Sequence, residues 1–309
     1  MKMFGRVLEK GQSSARSMTE AIPEPPPVPE NGSSPSQFVR CIQGSAFVGF
    51  WMTIGWVFHL GGDGYLVVGV PLVVAFQLLV RRKPLVNLWI RDAEHFRLNG
   101  WGIVLGLGFA VLPAVKLIWT VRLASWPSHT SVILWYVCCI LGAFGAAFGF
   151  CRFTRQTWKE LRFCLSTAGV IGCGTMLLGA LIRWAWLGKP IALNGGMAMT
   201  GIGSFMLYVP VCFVLEEVVF RGALDSHVFQ PGDKGQWWTA IFISTLWGWW
   251  HLPIAGVTGI QQFVTLIFLL PCVHIAVGVF FSFSWRRSSN LAVPATVHAF
   301  IDAVRNALM

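Results

Sequence analysis

The chain has 309 residues, of which 55% are hydrophobic and only 12% are charged. This composition excludes an ordinary soluble domain and predicts a protein that crosses a membrane several times. The formal net charge of +10 does not indicate a nucleic-acid partner, because the Lys and Arg residues form short clusters between apolar runs and not one basic face.

The N-terminal segment, residues 1–37, is polar and includes the Pro-rich run PEPPPVPENGSSPS. It has no apolar core region of the kind that a cleavable signal peptide needs. Its low hydrophobicity predicts a disordered cytoplasmic tail, followed by one membrane domain at 38–309. The eight Cys residues of the chain lie mostly within or beside apolar segments and lack CxxC spacing, so we expect free thiols and not a disulfide framework.

Apolar runs long enough to cross about 30 Å of hydrocarbon follow one another through the membrane domain. They lie near 38–60, 64–80, 100–121, 131–151, 163–187, 199–228, 237–254, 259–283 and 290–308. The last run is short and is interrupted by polar residues. The sequence therefore predicts an all-α polytopic membrane protein, a bundle of 8–9 transmembrane helices with its functional cavity inside the membrane.

The loops between these runs alternate in positive charge. The tail, the loop that begins with RRK at 81–83, the loop at 152–162 and the turns near 234 and 286 carry Lys and Arg, whereas GGDG, WPSHTS and LPIAGVTG carry none. The positive-inside rule then predicts a cytoplasmic N-terminus in a plasma (inner) membrane. The fifth loop, with Arg183 and Lys189, departs from this pattern. We expect the cavity to open mainly towards the cytoplasm, on the side of the turn at 229–236.

Two adjacent carboxylates and an arginine interrupt the sixth apolar run, in the sequence FVLEEVVFRG at 213–222. On a helix, Glu217, Arg221 and Asp225 follow one another at i, i+4 spacing, so Arg221 can contact both carboxylates. Glu216 lies about 100° around the helix from Glu217 and is left without this partner. We expect Glu217 and Arg221 to hold the helix so that Glu216 points inward. Ionisable side chains at such depth are costly and usually functional.

Histidines in the last three runs are candidate partners for Glu216. His251 and Glu216 are each ~12 to 14 residues from the turn that joins their helices, which places both roughly 20 Å along antiparallel neighbours. His298 and Asp302 have i, i+4 spacing, which lets a carboxylate orient an imidazole. His274 has no acidic neighbour in the sequence, so it is interpreted as structural. The alternative is that these carboxylates, Arg221 and the histidines only hold helices together and have no catalytic role.

Three motifs in this order resemble those of the CPBP intramembrane protease family, which includes type II CAAX prenyl endopeptidases and bacteriocin-processing or Abi proteins. They are EExxxR at 216–221, an aromatic residue followed by xxxH at 247–251, and HxxxD at 298–302. The resemblance covers about 200–309, which it identifies as the catalytic core. This sequence has Trp247 where the family usually has Phe, and Asp302 where the prenyl endopeptidases have Asn.

The resemblance implies an intramembrane endopeptidase that hydrolyses a membrane-associated peptide or protein, such as a prenylated or hydrophobic leader-type substrate. Glu216 would activate a water that His251 positions. His298 would donate to the oxyanion of the tetrahedral intermediate, while Asp302 fixes its tautomer. An ionised Asp302 would repel that oxyanion, so Asp302 must be protonated, orient His298 or bind a metal.

A second version places a divalent metal such as Zn²⁺ between Glu216, His251 and His298, with water in the open position. No HExxH motif is present, which favours metal-free glutamate chemistry, although the sequence does not separate the two versions. Two other functions remain open: a non-catalytic scaffold or immunity protein that retains the fold, and a proton-coupled transporter. The expected partners are the lipid bilayer and the substrate, with no nucleic acid.

Overall fold

The structure, a computed structural model, describes residues 35–123, 129–188 and 195–308, and within them each predicted apolar run is mainly helical. The described residues contain no strand, only an isolated antiparallel bridge between Ile90 and Asn290. The all-α prediction is confirmed. The predicted tail lies, up to residue 34, outside the described residues.

The helices are numbered here in chain order. They are α1 Gln37–Val57, α2 Gly62–Ala75, α3 Gly100–Leu123, α4 Thr130–Phe150, α5 Arg155–Cys164, α6 Val170–Leu187, α7 Gly195–Cys212, α8 Ser226–Val228, α9 Gln236–Trp250, α10 Ile260–Ser288 and α11 Ala292–Leu308. Segments of π-helix extend α2 at Phe76–Val80, join α5 to α6 at Leu165–Gly169, and precede α8 at Val218–Asp225.

Within the described residues, six helical segments are long and apolar enough to cross a membrane by themselves. They are Gly62–Val80, Gly100–Leu123, Thr130–Phe150, Arg155–Trp186, Gly195–Cys212 and Ile260–Ser288. Helices α1, α9 and α11, of 21, 15 and 17 residues, lie in the same bundle. Consistent with the cysteine prediction, all eight thiols are free.

The sixth predicted run, 199–228, is not one continuous helix. Helix α7 ends at Cys212, residues 213–216 form a turn and a bend, and the chain becomes helical again at Glu217, which leads into the π-helix Val218–Asp225. Pro210 lies near the end of α7 and has no N–H to continue the α-helical ladder. The Trp89 indole N–H donates to the freed Phe213 carbonyl at 2.7 Å. The two adjacent carboxylates therefore lie at a break in the helix and not on its regular surface.

Close backbone contacts hold the π-helix in place. A Cβ on Gly222 would lie 2.3 Å from the Leu88 carbonyl oxygen, so only glycine allows this approach. On the other side, Arg81 donates to the Gly222 carbonyl at 2.8 Å. Burial lowers the pKa of Arg81 to about 10, which leaves it charged at neutral pH. Arg81 and Leu88, at the start of the loop 81–99 and within it, thus hold the π-helix on two sides of Gly222.

A layer of buried ion pairs lies between the site and the turn at 229–235. Arg286 donates to both oxygens of Asp225, at 2.9 and 2.7 Å. Arg40 forms an ion pair with Asp233 and fastens α1 to the turn. The expectation that Arg221 contacts Asp225 is wrong, because helical side chains lean towards the N-terminus and Arg221 reaches back to Glu217, leaving Asp225 to Arg286.

Candidate active site

The three motifs meet at one cavity of about 350 Å³ inside the bundle. Glu216 comes from the break after α7, His251 from the end of α9, and His298 from α11. All three side chains line the cavity, as does Asp302, one turn after His298. The structure thus brings together the four residues that the sequence proposes as catalytic.

A buried chain of contacts fixes the ring of His298. Its Nδ1 lies 2.9 Å from Glu217 Oε1, and the other oxygen of Glu217 accepts from Arg221 Nε at 3.3 Å. Arg221 also donates to Ser282 Oγ of α10 at 2.9 Å. Glu217 and Arg221 are both fully buried. A charged pair with no access to water therefore sets the orientation of the imidazole.

The other ring nitrogen of His298, Nε2, faces the cavity between two carboxylates. Glu216 Oε2 lies 3.7 Å away and Asp302 Oδ2 lies 3.6 Å away. Both distances exceed a direct hydrogen bond but are within the reach of one shared water or ligand atom. The second oxygen of Asp302 pairs with Arg305 Nη1 at 2.9 Å, so a cation accompanies this carboxylate.

These contacts change two of the expected roles. Asp302 was expected to fix the tautomer of His298, but the hydrogen bond at Nδ1 is to Glu217 and Asp302 lies near Nε2. Glu217 was expected only to support the helix, yet it contacts the imidazole directly. Sequence spacing reveals neighbours on one helix, whereas this contact joins residues 81 positions apart.

His274 is the clearest site residue that sequence reasoning missed. It was interpreted as structural, but it lines the cavity beside His251, with ring centroids 4.4 Å apart. Each ring places Nδ1 against a backbone carbonyl four residues earlier, that of Trp247 at 2.9 Å and that of Leu270 at 2.7 Å. If Nδ1 donates there, Nε2 of each neutral ring is an acceptor. Only the packing of α9 on α10 makes His274 a neighbour.

Trp247, the departure from the usual Phe, forms the wall between the histidines. Its ring packs edge to face on His274 at 4.5 Å and on His298 at 5.1 Å between centroids. The Arg221 guanidinium lies 5.4 Å from the same ring. The Trp247 indole therefore separates the buried Arg221 guanidinium from the cavity. It also packs against the His298 imidazole, which Glu217 orients.

A divalent metal fits one set of side chains at this cavity. Ligand atoms of Glu216, His298 and Asp302 lie within 4.8 Å of one another, a set that contains Asp302 in place of the predicted His251. One imidazole and two carboxylates are suitable ligands for Zn²⁺. The Glu217 contact at His298 Nδ1 is the outer contact that metal-bound histidines usually make.

Residues outside the three motifs complete the cavity wall. Asp63 lies in the first turn of α2, Trp135 in α4 and Tyr208 in α7, while Ile254 follows α9 and Arg305 lies at the end of α11. Asp63 and Trp135 belong to the first 199 residues, to which the sequence assigned no role. The N-terminal helices therefore build part of the site.

Residues 198–304 match the family model Rce1-like, described as type II CAAX prenyl endopeptidase Rce1-like. This confirms the resemblance found from the motifs. No curated protein and no solved structure matches the chain.

The Rce1-like region contains all three motifs and spans about a third of the chain. Its family is one of proteases, which supports an enzyme, and its helices lie within a bundle that has six long apolar segments. The chain is therefore an integral membrane protein with a protease-like region. The Rce1-like match supports the prediction of a membrane-associated substrate in a lipid bilayer.

Proposed function

We propose that the protein is an intramembrane endopeptidase that uses Glu216 to activate water. The observation that carries this proposal is the arrangement around one imidazole: Glu217 and Arg221 hold His298 from behind, while Glu216 faces it across the cavity. Peptide hydrolysis needs a water, a base and a donor for the developing oxyanion. The cavity holds candidates for the last two within one water's reach of each other.

Glu216 is the proposed general base. Its neighbour Glu217 has its charge matched by Arg221, whereas the Glu216 carboxylate lies in the cavity wall with 12% of the side chain exposed. A carboxylate that faces a wet cavity can accept a proton from water and later deliver it to the leaving amine. The buried pair can do neither, since no water reaches it.

His298 is the proposed donor to the carbonyl oxygen as it becomes an oxyanion. An imidazolium would donate from Nδ1 to Glu217 and from Nε2 into the cavity. Asp302 would oppose an oxyanion there, but Arg305 pairs with it at 2.9 Å and offsets its charge. This pair removes the electrostatic objection to a carboxylate in that position.

His251 is proposed to hold the attacking water together with Glu216. Its Nδ1 lies against the Trp247 carbonyl, so Nε2 of the neutral ring can accept a hydrogen bond from water. His251 would then position the nucleophile and take no proton in the rate-determining step. Loss of this contact should slow cleavage less than loss of Glu216.

In the metal version, Glu216, His298 and Asp302 would hold the ion. A divalent metal such as Zn²⁺ would supply a bound water of lowered pKa and polarise the substrate carbonyl. Glu217 would still orient His298 through Nδ1, and Arg305 would still fix Asp302. The two versions share Glu216 and His298; the metal-free version adds His251, the metal version adds Asp302, and the two differ in their response to chelators.

The proposed substrates are membrane-associated polypeptides, with prenylated C-termini or hydrophobic leader sequences as the first classes to test. The cavity wall is mainly aliphatic and aromatic, with Glu216, Asp302 and Arg305 gathered near His298 and Asp63 at the start of α2. Such a wall suits an extended apolar segment whose peptide group reaches the polar end. A ligand already dissolved in the bilayer reaches this depth without crossing water.

The test compares Glu216→Gln, His251→Gln and His298→Gln with the parent in lipid vesicles, using internally quenched apolar peptides with and without a farnesylated cysteine. Glu94→Gln, which removes an exposed carboxylate outside the cavity, is the matched control. We expect every variant to accumulate as folded protein and the Glu216 and His298 variants to lose cleavage. Full activity of Glu216→Gln would reject the base assignment.

The two versions separate on treatment with EDTA. Metal-free glutamate chemistry predicts unchanged cleavage after chelation and dialysis. Loss of cleavage that Zn²⁺ restores would instead support the set of Glu216, His298 and Asp302 as ligands. Metal content measured on the purified protein, parent against Asp302→Asn, gives a second readout that does not depend on activity.

A further inference from the structure

The two ends of the bundle differ sharply in charge. One end, here called the basic face, comprises the loops 81–99, 151–154, 229–235 and 289–291 with the helix ends beside them. Its Lys and Arg residues are Arg40, Arg81, Arg82, Lys83, Arg91, Arg97, Arg152, Arg155, Lys159, Arg162, Lys234, Arg286 and Arg287. The opposite face comprises the described ends at 58–61, 123, 129, 188, 252–259 and 308 with the helix ends beside them, where the Lys and Arg residues are Lys116, Arg122, Arg183 and Arg305. By the positive-inside rule, the basic face is cytoplasmic.

The cavity extends from the site towards the opposite face. Asp63 lies one residue after the start of α2 and Trp135 lies five residues after the start of α4, both at ends that belong to the opposite face. Arg305 lies in the last turn of α11, which runs away from the basic face. Ile254 lies just before the loop that leads into α10, on the same side of the bundle. These wall residues mark a path from His298 to that surface.

The path towards the basic face is closed. Between the site and the turn at 229–235 lie Arg221, Asp225 and Trp285, all fully buried. Arg286 joins this layer through two bonds to Asp225, and the Trp285 indole donates to Ser226 Oγ at 2.9 Å. No residue of the basic-face loops lines the cavity in the part of the chain that the structure describes.

These observations conflict with the expectation that the cavity opens towards the cytoplasm. That expectation placed both the basic turn and the mouth of the cavity on one side, but the structure places them at opposite ends of the bundle. If the basic face is cytoplasmic, the mouth is extracytoplasmic. The charge distribution is a property of many loops together, so reversing the orientation would violate the positive-inside rule at every loop of the basic face.

We infer that the cavity takes its substrate from the extracytoplasmic side of the membrane. The substrates would then be polypeptides whose cleaved segment enters the bilayer from that side, such as secreted precursors or the outer ends of membrane proteins. Of the two substrate classes in the proposed function, hydrophobic leader-type segments that enter from that side would reach the site, and lipid-modified C-termini on the cytoplasmic leaflet would not. This inference depends on the proposed function only in that it calls the ligand a substrate. The side from which the cavity is accessible does not depend on catalysis.

Cysteine labelling in intact cells tests the inference. Three variants report on three places: Lys234→Cys on the basic face, Thr258→Cys on the opposite face, and Ile254→Cys in the cavity wall. Each is treated with a small, membrane-impermeant, cationic thiol reagent, before and after permeabilisation, with the parent and its eight native cysteines as baseline. Gly259→Cys and Val273→Cys replace the second and third variants if either fails to accumulate.

We expect Thr258→Cys and Ile254→Cys to react in intact cells and Lys234→Cys to react only after permeabilisation. Reaction of Lys234→Cys in intact cells, with Thr258→Cys protected, would overturn the orientation. Reaction of Ile254→Cys only after permeabilisation, while Thr258→Cys reacts before it, would overturn the open path. Because labelling requires no cleavage, a protein that fails every peptidase assay still gives a decisive result here.

Discussion

Replacing Glu217 by Gln tests whether the buried pair behind His298 stabilises the fold. Glutamine keeps an oxygen that can accept from His298 Nδ1, so the ring retains its hydrogen bond. The change removes only the negative charge opposite Arg221. Arg221 is then a fully buried cation without an anionic partner at 3.3 Å.

Removing one partner of a buried ion pair costs about 3–5 kcal/mol. Arg221 keeps its bond to Ser282 and its position 5.4 Å from the Trp247 ring and 5.8 Å from the Phe281 ring. These contacts favour the lower limit, about 3 kcal/mol. At about 2 °C per kcal/mol for a protein of this size, the midpoint of thermal unfolding should fall by about 6 °C.

The assay is thermal unfolding of purified protein in detergent, followed by loss of monodisperse protein on size-exclusion chromatography. Lys159→Gln is the control, because it removes an exposed cation of α5 and should change stability by no more than about 0.5 kcal/mol. Adding Arg221→Met to Glu217→Gln removes the uncompensated charge and should recover at least half of the loss.

Two results would refute this reasoning. If the unfolding midpoint of Glu217→Gln differs from that of the parent by less than about 1 °C, the charge of Arg221 is already compensated by water or by another group. If the stability lost by the double variant equals the sum of the losses in Glu217→Gln and in Arg221→Met alone, the two residues act independently and an uncompensated buried charge is not the cause.

Three further predictions follow from single contacts. Gly248→Ala should destabilise the protein by about 1–3 kcal/mol in the same unfolding assay. The new Cβ would lie 2.6 Å from the Pro271 backbone nitrogen and force α9 away from α10. Gly174→Ala is the control: no atom lies within 4 Å of its Cβ, so this change should be neutral or slightly stabilising. Trp247→Phe should keep the aromatic wall but loosen the contacts with His274 and His298, at a cost of about 1 kcal/mol, and lower the KM for peptides with bulkier side chains. Asp302→Asn should retain cleavage within about tenfold if the chemistry is metal-free, since the amide keeps an acceptor near Nε2, whereas a metal mechanism predicts loss of both bound metal and activity.

The parts of the fold that the sequence predicted depend on local properties. The apolar runs predicted the helices because bilayer thickness fixes their length. The pair of Glu217 and Arg221 followed from i, i+4 spacing, and it survives in a π-helix. The motifs located the Rce1-like region because each keeps its polar residues within five or six positions.

The parts that the sequence missed depend on contacts between helices. Asp225 pairs with Arg286 and Glu217 with His298, over separations of 61 and 81 residues. His274 joins the site only because α10 packs along α9. The sequence did not predict the break after α7. Pro210 lies in an apolar run, where a proline can either kink a helix or end it, and the sequence does not distinguish the two.

The adjacency of the two glutamates acquires a physical reason from these contacts. Neighbouring side chains at a helix break point in different directions, so two carboxylates can approach one imidazole from opposite edges. Glu217 reaches Nδ1 at 2.9 Å, with its charge matched by Arg221, and Glu216 faces Nε2 at 3.7 Å from the cavity. One carboxylate is needed to hold the ring and is unavailable for chemistry because it is buried. The other, Glu216, faces the cavity, where the proposed function makes it the base; on that proposal the chain needs both carboxylates, one to hold the ring and one for chemistry.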